Sequence, residues 1–240
     1  MTSAAALSCF PADAGTAPTR WQTATVRQVH RAGPRLVMLH LELEHRQLQY
    51  PGQHFVVRLT ADDGYSASRS YSVSSPPDAD LVELCVEKLD DGEVSGYLYD
   101  VVEPGDTLEV RGPIGGWFIW DGSCPAIGVG GGTGVVPLVS MLRHARHHGF
   151  ADRLTLAASG RTEADIPYLA ELRQAGATIA ITGGPGGHRL TAADLTPLLG
   201  PAELGFVCGS ARFAEAMSST LVEVGLPATQ IRVERFGPTG

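Results

Sequence analysis

The sequence predicts two architectures in succession: a small antiparallel β-barrel, then an α/β domain built on a parallel sheet. Three observations predict this. Residues 21–120 carry short period-two apolar runs punctuated by turn signals, strands and helices alternate after residue 125, and the polar stretch 121–125 separates the two regimes. Period-two runs read as half-buried strands, and strands that alternate with helices read as a parallel sheet covered on both faces.

In the first regime the strands are marked in order by Val37, Leu39, Leu41 and Leu43, by the run 55–59, by Val82, Leu84 and Val86 against Glu83, Cys85 and Glu87, and by Leu108 and Val110. Between them lie Tyr50-Pro51-Gly52, Asp62-Asp63-Gly64, Pro76-Pro77-Asp78, Asp90-Asp91-Gly92 and Glu103-Pro104-Gly105-Asp106, all turn-forming combinations. In the second regime a strand over 126–130, a glycine loop over 131–134 and a helix over 135–148 open a βα unit. The grammar repeats: strand 153–158 and helix 165–175, strand 178–182, strand 204–208 and helix 211–224, and a last strand over 231–236. Residues 1–19, rich in Ala, Ser, Thr and Pro, read as a loose tail, so the expected domains are 20–120 and 121–240.

Composition narrows the function. A chain of 240 residues with 43% hydrophobic and 18% charged residues can bury a sizeable core. No apolar run reaches the ~18 to 20 residues of a membrane helix, and the first residues lack a signal peptide's basic start, so the expected location is the cytoplasm with no membrane partner. The net charge of -8 argues against nucleic acid as a partner, since phosphates call for excess Lys and Arg. Lys88 is the only lysine, which excludes a P-loop. Cys9, Cys85, Cys124 and Cys208 have neither zinc nor iron-sulfur spacing. His144 and His148 share a helix face, but with no third ligand in the local sequence they read as a solvated helix end, and no metal is expected.

Four segments carry chemistry. The loop Gly128-Val129-Gly130-Gly131-Gly132-Thr133-Gly134 follows a strand and opens a helix, where backbone amides and the helix dipole can hold a pyrophosphate. It is not a clean G-x-G-x-x-G, and a glycine-rich tight turn without ligand is the alternative. Arg69-Ser70-Tyr71-Ser72 offers a guanidinium, an aromatic face and a hydroxyl; the alternative is a packed Tyr71 and a surface Arg69. Gly92-Glu93-Val94-Ser95 precedes a short helix over 95–100, and is either an anion-binding helix start or a hairpin turn capped by Ser95. Cys208-Gly209 ends a strand, where a buried cysteine is commonly plain core.

Together, R-x-Y-S at Arg69 to Ser72, G-G-G-T-G at Gly130 to Gly134, Cys208-Gly209 and the ending Glu234-Arg235-Phe236 resemble, in order and spacing, the ferredoxin-NADP reductase family over residues 21–240. The resemblance implies a six-stranded, Greek-key-like FAD-binding barrel over about 20–120 and a five-stranded parallel NAD(P)-binding sheet over about 121–240. It implies that Arg69 contacts the FAD phosphates with Ser70 beside it, that Tyr71 stacks on the isoalloxazine, and that Ser72 hydrogen-bonds near the hydride-accepting nitrogen. Gly92, Val94 and Ser95 would meet the FAD pyrophosphate, and Gly130, Gly131, Gly132, Thr133 and Gly134 the coenzyme's. Cys208 with Gly209 would lie against the nicotinamide, Glu234 would assist the same site, and Phe236 would cover the flavin. Ser210 stands where the family commonly has proline.

The implied activity is hydride transfer from NAD(P)H to FAD, with electrons passed to a separate acceptor protein such as a ferredoxin or an oxygenase component. The alternatives are a flavin reductase that releases reduced free flavin, and a non-catalytic redox-sensing module. An NAD-selective site places Asp or Glu after the second strand; this chain has Ser159-Gly160-Arg161 there, and Arg189 follows the next glycine loop. Ser159, Arg161 and Arg189 therefore point to NADPH, with NADH possible and a solvated Arg161 as the alternative.

Overall fold

The computed structural model describes residues 19–236, so all but the last residue of the expected tail lies outside the described residues. Strands β1 (Trp21–Ala32), β2 (Leu36–Leu43), β3 (His54–Thr60), β4 (Ser66–Ser72), β5 (Val82–Glu87) and β6 (Thr107–Ile114) form a six-stranded antiparallel sheet in the order β4-β3-β6-β1-β2-β5. Its two edges meet through an antiparallel bridge between Val73 and Leu84, which curls the sheet into a barrel. Alternation in β2 sends Val37, Leu39 and Leu41 inward to Val26, Phe55, Val57, Leu84 and Val110. Each such side chain, once buried, contributes roughly 1.5–3 kcal/mol.

The second sheet is parallel, with β7 (Ala126–Gly131), β8 (Leu154–Gly160), β9 (Thr178–Ile181), β10 (Leu204–Ser210) and β11 (Ile231–Phe236) in the order β11-β10-β7-β8-β9. The order reverses between β7 and β10, which opens a crevice at the carboxyl ends of those strands. On one face α2 (Val136–His148) packs Leu138, Val139 and Leu142 against Leu156 and Phe206, and Phe118 and Trp120 join this core. On the other, α4 (Ala192–Leu199) and α5 (Ala211–Glu223) pack Leu195, Met217 and Leu221 against Ile127, Val129 and Val207.

The structure departs from several of the expected elements. The helix expected over 165–175 is only α3 (Leu169–Gln174), because Pro167 disfavours helix at Ile166 and Tyr168 sits in the left-handed region at φ 58°. The helix expected from residue 135 begins instead with a 3-10 turn, Gly132–Val135. α4 was not expected; a capping box between Thr191 and Asp194 starts it despite Pro197. β5 is buried on both faces rather than one, since Glu83 and Cys85 turn away from the barrel core toward the α/β half.

That second face of β5 is a polar clasp between the halves. The Arg143 guanidinium on α2 pairs with Glu83 at 2.8 Å and with Glu171 at 3.0 Å. The Tyr168 hydroxyl donates to Glu83 at 2.6 Å, Ser74 Oγ donates to it at 2.6 Å, and His40 Nε2 lies 2.8 Å from it. Ser140 Oγ donates to the Ser75 carbonyl at 2.7 Å. Burial alone would raise the Glu83 carboxyl, but Ser74, Tyr168 and Arg143 outweigh it and hold the group below the usual carboxylate range.

Candidate functional site

The parallel sheet sets three of the chemical residues in one row. Register pairs Cys208 with Glu234 on β11 and with Gly130 on β7, so these three lie side by side across adjacent strands at their carboxyl ends. One step further on, Gly209 pairs with Arg235 and Gly131 with Ser159, which brings the Ser159 strand end to the same edge. Residues 130, 159, 208 and 234 are thus gathered by strand register alone.

The glycine loop is shaped by close approach. A Cβ at Gly134 would stand 2.2 Å from the Cys208 carbonyl oxygen, so the loop rests directly on the end of β10. Gly132 adopts φ +56°, which favours glycine. Thr133 Oγ1 donates to the Glu87 carboxylate on β5 at 3.1 Å, joining the loop to the barrel. Glu87 and Glu83 were not singled out by the sequence, where both read as the polar face of an alternating strand.

Cys208 is fully buried, and burial followed by the neighbouring Glu234 pushes its thiol well above the ordinary range, so it stands as an uncharged thiol. Burial also raises the Glu234 carboxyl to about 7. Ser210 caps α5, its hydroxyl accepting from the Phe213 amide at 3.3 Å, which supplies the turn without proline. Phe236 ends β11 half-buried against the α2-side core.

On the barrel, Arg69, Ser70, Tyr71 and Ser72 occupy the last turns of edge strand β4. The exposed Arg69 guanidinium donates only to the Ser68 carbonyl, at 2.7 Å, among the described residues. The Tyr71 hydroxyl is buried without a hydrogen-bond partner among the described residues, and burial, partly offset by Arg69, raises its phenol. Ser72 is buried and pairs across β3 with His54, whose imidazole burial holds below its ordinary value. His54 is a further neighbour of the site that sequence reasoning missed, since a single His inside a strand gives no signal.

Helix α1 (Glu93–Asp100) starts two residues earlier than expected and lies against β4 and β5. Ser95 Oγ accepts from the Leu89 amide at 3.1 Å and lies 3.3 Å from the Gly92 carbonyl oxygen, so its hydroxyl closes the turn. A Cβ at Gly92 would fall 2.1 Å from Ser95 Oγ. The Gly96 amide makes the first intrahelical bond, to Gly92, which leaves the amides of Glu93, Val94 and Ser95 directed outward from the helix start.

Arg161 and Arg189 come from the loops that follow β8 and β9. The Gly183 amide donates to the Arg161 carbonyl at 2.9 Å, tying the two loops together. Both arginines are exposed and form no ion pair among the described residues. Glu163, the acidic group nearest in sequence to Arg161, is held by Arg173.

Residues 24–119 match the family profile of the oxidoreductase FAD-binding domain. Over most of its length the chain is similar to ferredoxin reductase components of oxygenase systems. It is 26% identical over 238 residues to the ferredoxin-NAD(P)(+) reductase component of the naphthalene 1,2-dioxygenase/salicylate 5-hydroxylase systems of Ralstonia sp. That alignment covers 93% of this chain and 71% of the relative. It is 28% identical to the ferredoxin reductase component of 3-ketosteroid-9-alpha-monooxygenase from Rhodococcus rhodochrous, over 81% of this chain and 58% of that one. The fold matches the FAD/NAD-binding domain of nitric oxide dioxygenase from Vibrio cholerae at TM-score 0.79 and 20% identity, over 90% of this chain and 99% of that one.

The chain's own residues fit FAD. An unpartnered phenol beside an arginine without a carboxylate, next to a helix start with free amides, is a donor set suited to an aromatic ring system carrying phosphates. Among the described residues no helix is long and apolar enough to cross a membrane.

Proposed function

We propose that this reductase takes hydride from NADPH and delivers electrons to a separate acceptor protein, a ferredoxin or an oxygenase component. The observation that carries the reading is the row Glu234, Cys208 and Gly130 at the carboxyl edge of the parallel sheet, with its glycine loop hydrogen-bonded to the barrel at Glu87. Bound FAD supplies the conversion of a two-electron hydride into single electrons.

In this reading Arg69, with Ser70 beside it, and the amides around Gly92, Val94 and Ser95 hold the FAD phosphates. Tyr71 packs along the ring and Ser72 donates a hydrogen bond to its reacting edge. The backbone of Gly130, Gly131, Gly132, Thr133 and Gly134 receives the coenzyme pyrophosphate. Cys208 and Gly209 bound the nicotinamide pocket, where an uncharged thiol places bulk without adding charge. Glu234, with its carboxyl near 7, exchanges a proton at the same wall at neutral pH. Phe236 closes the pocket, and Ser159, Arg161 and Arg189 bind the adenosine end. Residues 20–120 act as the flavin domain and 121–240 as the coenzyme domain.

The reading derives support from the relatives, which are reductase components of oxygenase systems. The test is gel filtration of FAD-loaded protein, followed by anaerobic mixing with NADPH and then with a one-electron acceptor protein. Retained yellow colour, bleaching by NADPH and reoxidation by the acceptor are expected. Loss of flavin on the column would favour a flavin reductase, and coenzyme binding without bleaching a redox sensor.

A further inference from the structure

We propose that Asp78, His144 and His148 form a metal site that bridges the two halves of the chain, suited to a divalent transition-metal ion such as zinc. The sequence offered two histidines and no third ligand. The fold supplies one: Asp78, on the loop between β4 and β5, reaches the last turns of α2, so that one donor atom from each of the three residues lies within 4.8 Å of the others.

The histidines are held in place before any ion arrives. His144 and His148 are one turn apart on α2, with ring centroids 4.5 Å apart. Phe150 meets the His144 ring edge-on at 5.4 Å and lies parallel to the His148 ring at 6.1 Å. His144 Nδ1 is buried with no hydrogen-bond partner among the described residues, a polar atom whose desolvation they leave uncompensated. The carboxylate of Asp78 is already drawn to this cluster, with Oδ2 2.8 Å from His147 Nε2.

Two imidazole nitrogens and a carboxylate oxygen match zinc, whereas magnesium and calcium prefer sets made entirely of oxygen. Ligand bonds of ~2.0 to 2.1 Å in a tetrahedron bring donors to roughly 3.3 Å of one another. The remaining closure falls to Asp78, exposed on the β4–β5 loop, while the ring-packed His144 and His148 serve as the fixed ligands. A fourth position is left for water or for His147. The ion would tie the β4–β5 loop to the end of α2, the two segments already joined by Arg143 to the Ser74 carbonyl at 3.2 Å and by Ser140 to Ser75. Its role is that of a structural clip.

The test is calorimetric titration of chelator-treated, FAD-loaded protein with zinc chloride, alongside thermal unfolding. One zinc per chain and a rise of several degrees in Tm are expected for the wild type. Asp78→Asn and His148→Ala, both at exposed positions and verified as folded by their flavin content, should each bind at least tenfold more weakly and lose the rise. His45→Ala and His188→Ala, at exposed histidines outside the cluster, should bind like the wild type. The proposal is overturned by the lack of a saturable one-to-one site in the wild type. It is equally overturned by Asp78→Asn and His148→Ala variants that bind zinc as the wild type does.

Discussion

At the scale of single residues, the barrel motif separates into one charge and one orphan. Arg69 spends its guanidinium on a neighbouring carbonyl, so the fold gains little from it, and its charge is available to a phosphate. Arg69→Ala should therefore leave Tm nearly unchanged and weaken FAD binding about tenfold to a hundredfold, the worth of a charge-assisted hydrogen bond of ~1.5 to 3 kcal/mol. Flavin content after dialysis, set beside the melting curve, checks both halves of that expectation. Glu234 carries a pH signature. Its carboxyl is raised from 4.5 to about 7 by burial, so the fold binds a proton that the unfolded chain releases. The stability linked to that proton is fully present below pH 4.5 and is lost as pH rises through 7, up to about 3 kcal/mol. Glu234→Gln should remove this slope, and urea midpoints across pH 4.5 to 8 would show a flatter profile than the wild type.

At the scale of elements, the clasp on β5 is where the two halves depend on each other. Glu83 receives hydrogen bonds from Ser74, Tyr168 and Arg143, and Arg143 in turn grips Glu171 with its other nitrogens. Removing the carboxylate leaves a partly buried guanidinium with one partner fewer, so Glu83→Gln should cost about 3 kcal/mol in denaturant unfolding while Glu83→Asp costs less. The same strand shows why some of the architecture was legible and some was not. Period two in β2 and the strand-loop-helix grammar from residue 126 follow from local burial, and both were readable. The second face of β5 reads as solvent-facing because Arg143 and Tyr168, which cover it, lie far along the chain. For the same reason Asp78 could not be joined to His144. α3 is shorter than the apolar pattern over 165–175 suggests because Pro167 and the left-handed Tyr168 delay its start, and α4 forms from its capping box despite an internal proline. Of the site, the motif positions were legible and the register that aligns residues 130, 208 and 234 was not, since strand order is a long-range property.

At the scale of the whole molecule, the open question is which coenzyme the far end of the crevice receives. In the proposed reading the parallel sheet gives the direction: a pyrophosphate at the glycine loop after β7 would send the adenosine past the ends of β8 and β9. An NAD-selective crevice places a carboxylate there to accept the ribose hydroxyl and repel a 2′-phosphate. Here β8 runs into Ser159, Gly160 and Arg161, and the β9 loop, hydrogen-bonded to the Arg161 carbonyl, leads on to Arg189. The nearest acidic side chain in sequence, Glu163, is neutralised by Arg173, so it does not oppose a phosphate with an unpaired charge. Two exposed arginines without ion pairs among the described residues therefore set the local field, and the protein should prefer NADPH. In steady-state kinetics with both coenzymes, Arg161→Ala should lower kcat/KM for NADPH by about tenfold or more and leave NADH nearly unchanged, the loss of one charged contact of ~1.5 kcal/mol. Equal losses for the two coenzymes would assign Arg161 to the loop's structure, and a wild type faster with NADH would place the 2′-hydroxyl elsewhere.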